Sequence, residues 1–109
     1  MIFQINITRQ AEDDLRNVFE YIAYELQSVQ NAAGQLGRLE KAIFSLDQMP
    51  MRYRAYEKEP RHSRGLRVMP VDNYLVFYIP YPDTLTVEII RVMYGGRDID
   101  TQLNRITKE

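Results

Sequence analysis

At 109 residues, 45% of them hydrophobic, the chain holds enough apolar side chains for one folded domain, 1–109, and too few residues for two. It has no cysteine, which excludes disulfides, zinc–thiolate sites and thiol nucleophiles together. Net charge is −1, but residues 52–67 gather Arg52, Arg54, Lys58, Arg61, Arg64 and Arg67 against Glu57 and Glu59 alone. Such a cluster fits a phosphate or an acidic partner, and it equally fits a solvated loop.

Residues 2–7 predict a short strand. Thr8 is a candidate N-cap, with Glu12, Asp13 and Asp14 near the positive end of the helix that follows. Ala11, Leu15, Val18, Phe19, Ile22 and Leu26 then form one apolar stripe, predicting a helix over 9–27. Asp13-Asp14 is assigned to its solvated polar face. Leu36, Leu39, Ile43 and Leu46 predict a second helix over 30–48, stopped by Pro50. The break between the helices is short, so they form an antiparallel hairpin. Gly34 and Gly37 weaken the second helix unless they let the two approach closely.

Residues 50–65 are an irregular basic loop. Three strands follow, over 66–71, 74–81 and 85–94. Asp72-Asn73 and Pro82-Asp83 make the turns, and Gly95-Gly96 ends the last strand. Tyr74, Val76 and Tyr78 share one face of the middle strand, while Leu75, Phe77 and Ile79 share the other. Ile99, Leu103 and Ile106 suggest a short terminal helix. The expected architecture is a two-layer α+β domain: an N-terminal strand and a helical hairpin packed on a twisted antiparallel sheet, with a short C-terminal helix. The opposite face of the sheet is left at least partly open to a partner. No basic leader or membrane-length apolar run is visible, so the chain is expected to be soluble and cytoplasmic.

In this order, four segments carry a likeness to a known family: Ala11-x-x-Asp14-Leu15 followed by Tyr21-Ile22, Leu46-x-x-Met49-Pro50, the strand from Asn73 to Tyr78, and the run from Ile89 to Asp98. Together they resemble the RelE/ParE superfamily of bacterial toxins from type II toxin–antitoxin, or plasmid stabilisation, systems. The resemblance implies a growth-inhibiting toxin neutralised by a cognate antitoxin protein. The sequence holds no phosphate loop, Gly-x-Gly-x-x-Gly or His-Glu-x-x-His motif, so no cofactor and no metal is expected. The superfamily's members divide between two targets. RelE-like toxins are metal-independent endoribonucleases that cut mRNA on the ribosome. ParE-like toxins are not enzymes and inhibit DNA gyrase.

Metal-independent RNA cleavage needs a base for the 2′-hydroxyl, cations for the phosphate and an acid for the leaving 5′-oxygen. If the chain is a nuclease, the resemblance offers Arg67, Tyr94 and Arg97, which motif position and sheet geometry could bring together. The lone His62 lies in the loop, where an imidazole is more often a surface residue than a catalyst. Leu75 stands where RelE-like strands carry an arginine, and no aromatic residue follows Arg97. Leu75 and the 87–92 strand look more ParE-like, and this reading is preferred. Arg61, Arg64 and Arg91 are candidate contacts to a partner or nucleic acid. The structural alternative pairs Arg91 with Glu88 or Asp98. Tyr74, Tyr78, Tyr81 and Tyr94 fit core and rim packing. A member that binds its antitoxin and poisons nothing remains a third reading.

Overall fold

A computed structural model describes residues 2–96, together with Ile99 and Leu103. The order is β1 (Gln4–Ile7), α1 (Arg9–Glu20), α2 (Val29–Phe44), β2 (Arg67–Val71), β3 (Tyr74–Tyr81) and β4 (Thr86–Tyr94). A π-helical turn, Tyr21–Glu25, extends α1, and short 3₁₀ turns at Ser45–Asp47 and Pro50–Arg52 follow α2. The strands lie in the order β1-β4-β3-β2. This is the expected α+β arrangement of a helical hairpin on a sheet, with one correction. The sheet is mixed, because β1 runs parallel to β4 while β2, β3 and β4 meander antiparallel. Turn residues specify only hairpin partners. A strand that returns through two helices carries no local signal of direction.

Thr8 builds the corner from β1 into α1. Its side-chain oxygen accepts from the Ala11 N–H at 3.2 Å, capping the helix. The same hydroxyl donates to the Ile89 carbonyl at 2.7 Å, which fixes the helix start against β4. Ala11, Leu15, Leu39, Ile43 and Leu46 then pack on Met69, Val76, Tyr78, Val87, Ile89 and Val92. The two faces predicted for β3 are both observed, because Val76 and Tyr78 belong to this inner core while Phe77 and Ile79 join a second, outer cluster.

That outer cluster narrows the expectation of a sheet face at least partly open to a partner. Leu66, Val68, Phe77, Ile79, Ile90 and Met93 are covered there by Tyr56, Ile99 and Leu103. Ile99 and Leu103 are both helical; the remainder of the predicted terminal helix, with Ile106, lies outside the described residues. Two helical expectations also change. The first α-helix stops at Glu20, and the π turn is marked by the Leu26 N–H bonding to the Tyr21 carbonyl. This change of pitch turns Ile22 and Ala23 toward Ala32 and leaves Leu26 in solvent, although Leu26 fits the apolar stripe. Nor do the glycines mediate a close approach. A Cβ on Gly37 would meet nothing within 4 Å, and one on Gly34 would meet only Arg38 of its own helix.

Candidate functional site

Arg91 sits where β1 has run out. The last β1 pair is Ile7 with Ile89, so the next backbone groups of β4 lack a strand beside them. Asp14 on α1 substitutes for that strand. Its carboxylate accepts from the Val92 N–H at 2.9 Å and from the Arg91 guanidinium at 2.7 and 2.9 Å. A register shift beside Phe77 and Tyr78 leaves Ile90 unmatched and re-aims Arg91 toward the helix. Both side chains are withdrawn from solvent, at 5% exposure for Arg91 and 12% for Asp14. The described partner is therefore Asp14 rather than Glu88, while Asp98 lies outside the described residues, and Asp14 is not on a solvated face. Sequence offered a signal for this: Asp14 occupies the same helical stripe as Ala11, Leu15 and Val18.

In the basic segment Arg52, Arg61 and Arg67 likewise bond to their own chain, although Arg52, Arg54, Lys58 and Arg64 are exposed. Arg52 donates to the carbonyls of Gln48 and Met49 and to the Ser45 hydroxyl, and its guanidinium lies 4.9 Å from the centre of the Tyr53 ring. Arg67 donates to the carbonyls of Met51 at 3.2 Å and Tyr53 at 2.7 Å. The buried Arg61 donates to the Leu103 carbonyl at 2.7 Å. The buried Tyr78 hydroxyl donates to the Pro50 carbonyl at 2.6 Å. Burial pushes the Tyr78 phenol up to about 12, against the pull of Arg67 and Arg52. Arg52, Arg67 and Tyr78 thus hold one irregular stretch of backbone, 48–53. They fix Met49 in left-handed backbone (φ 49°) beside a cleft of about 400 Å³ lined by Ile2, Phe3, Pro50 and Met51.

The remaining candidates are scattered. Arg64 is exposed. His62 is exposed and tethered, its Nδ1 lying 2.9 Å from the Tyr56 carbonyl. Glu59 is held below the usual carboxylate range, first by the Ser63 hydroxyl and then by the Ser63 N–H. Tyr94 is half exposed and meets Tyr74 edge to face, ring centres 5.9 Å apart. Arg97 lies outside the described residues.

The register keeps Arg67 apart from Tyr94. Arg67 pairs with Tyr78, whereas Tyr94 pairs with Tyr74 at the other end of β3. Four residues along a strand amount to about 13 Å, and the two strand spacings between β2 and β4 add about 10 Å sideways. The buried side chains of Met69, Val76 and Val92 fill the face between them. Leu75 is half-buried and packs against the outer cluster rather than sitting deep in the core. Among the described residues, no group of three His, Cys, Asp or Glu side chains converges to hold a metal ion. No helix of the described residues is long and apolar enough to cross a membrane.

A family model for the ParE toxin of the type II toxin–antitoxin system parDE matches residues 5–99. The chain belongs to this family. Solved structures agree on the fold. The chromosomal ParDE system of P. aeruginosa superposes with a TM-score of 0.70 at 16% identity, covering 85% of this chain and 96% of that one. The RelBE2 toxin–antitoxin complex of Mycobacterium tuberculosis gives 0.64 at 20% identity, covering 86% and 99%. A double mutant of the E. coli toxin RelE in the free state gives 0.65 at 13% identity, covering 97% and 99%. No curated protein matches the sequence. The chain is thus a type II toxin of the RelE/ParE superfamily, as its four sequence segments imply.

Proposed function

We propose that this ParE-family toxin acts by protein contact on DNA gyrase rather than by cutting mRNA, and that a cognate antitoxin protein silences it. The observation that carries this reading is the commitment of Arg67. Its guanidinium is bound to two carbonyls of its own chain and lies a sheet's length from Tyr94. An RNA phosphate would have to displace those bonds and would find no second cation at Leu75 or Met69. The ParE family match supports the same side, and the P. aeruginosa relative is itself part of a ParDE system.

Inducing this protein alone in bacteria, while mapping new mRNA 5′ ends, tests the reading. Growth arrest with intact messages is expected. Codon-phased cuts within translated frames would replace it with ribosome-dependent cleavage, and unchanged growth would leave an antitoxin-binding module without poison.

A further inference from the structure

We propose that the free end of the helical hairpin, residues 20–29, is the surface by which this toxin grips the cationic, DNA-contacting face of its protein target. The inference rests on the gyrase reading above and names the surface that would serve it.

Tyr21, Tyr24, Leu26 and Val29 are 53%, 68%, 58% and 62% exposed at this one end of the molecule. Side chains this exposed add little to folding. Two tyrosines and two aliphatics gathered in ten residues have the composition of an interface centre. Beneath them the backbone is anchored. Ile22 and Ala23 pack on Ala32, the Ser28 N–H bonds to the Ile22 carbonyl at 3.1 Å, and Gln27 takes the left-handed conformation at φ 55°. With Ile22 and Ala23 turned inward by the π turn, Tyr21 and Tyr24 are held outward on a fixed platform. A partner then loses little entropy in ordering them.

Charge decides what that partner is. Residues 17–37 contain no lysine or arginine, and their only charges are Glu20 and Glu25. Both are exposed, and neither has an ion-pair partner among the described residues. The flanking cations are engaged elsewhere, Arg16 with Asp13 and Arg38 with Asp72. An acidic rim around aromatic side chains repels nucleic acid and complements a surface of lysine and arginine around apolar contacts. An enzyme that holds duplex DNA must neutralise phosphates with such a surface. The hairpin end therefore competes with DNA for that face of the enzyme.

The test is binding of the labelled full chain to purified gyrase, with duplex DNA as competitor and salt as variable, read beside supercoiling activity. Tyr21→Ser with Tyr24→Ser should weaken binding by about tenfold or more. Glu20→Lys with Glu25→Lys should also weaken it and flatten its salt dependence. Duplex DNA should displace the parent chain. Melting temperatures within a few degrees of the parent should show that both variants fold. Parental binding by folded variants, or binding indifferent to DNA, would overturn the proposal while leaving the gyrase reading intact. A parent chain that neither binds gyrase nor slows supercoiling would instead remove the gyrase reading, and this surface's target with it.

Discussion

The α1–β4 seam and the 48–67 segment solve one problem with opposite chemistry. At the seam, a strand edge offers backbone donors and acceptors where β1 ends, and Thr8 answers from the cap of α1 and Asp14 from its second turn. In the 48–67 segment the unmatched groups are carbonyls, and Arg52, Arg67 and Tyr78 answer with donors. Positive charge in the sequence is therefore a poor guide to positive charge available to a partner. The most basic stretch of the chain directs three of its arginines into its own fold, whereas the surface richest in exposed aromatic side chains carries only acids.

The comparison breaks most visibly at the seam. Arg91→Ala leaves the largely buried Asp14 carboxylate with the Val92 N–H but without its cation, and should cost about 3 kcal/mol in denaturant unfolding. A loss below 1 kcal/mol would mean that the pair does not hold the edge. Arg67→Ala removes two charge-assisted bonds to carbonyls and should cost about 1.5–3 kcal/mol. Its toxicity per folded molecule should stay at the parental level, and a stable variant that had lost toxicity would assign Arg67 to the site instead. Leu75→Ala, at a half-buried position, should cost about 1–2 kcal/mol, under the range for full burial. Equilibrium melts of the two proteins would decide it.

Tyr78→Phe should cost about 1 kcal/mol, leaving the Pro50 carbonyl without its donor. The pH dependence is the sharper reading. The folded phenol titrates near 12 and an unfolded one near 10, so its burial gives stability that is whole below pH 10 and lost as pH rises toward 12. Alkaline melts should show a larger loss in the parent than in Tyr78→Phe, where the burial-raised Tyr81 still contributes. The smallest effect belongs to the exposed Asp72, which accepts from Arg38 at 2.8 Å and Gln35 at 3.0 Å. These partners, Arg38 first, hold its carboxyl below the usual value of 3.8. The stability they give is present above pH 3.8 and fades as the carboxylate protonates in acid, a change that acid melts of Asp72→Asn should lack.

Elements with strong periodicity were legible. Both helices, the two hairpin turns and the alternating faces of β3 follow from spacing and turn chemistry, because each depends on neighbours within a few residues. The parallel pairing of β1 depends on a strand some eighty residues away and left no local mark. The pairing of Asp14 with Arg91 was half legible, since a carboxylate on an apolar stripe implies a buried cation without saying which. The anchors on 48–53 could not be read at all. Their acceptors are backbone carbonyls, and a carbonyl is the same whatever residue carries it. The hairpin end was obscured for another reason: Leu26 fits the helical stripe until the π turn rotates it into water.

The most direct test of the central claim is supercoiling of relaxed plasmid by purified gyrase, titrated with this chain. The account predicts that activity falls as the toxin approaches the enzyme's concentration, with parental inhibition by Arg67→Ala. Full supercoiling at a large excess of folded toxin would contradict it.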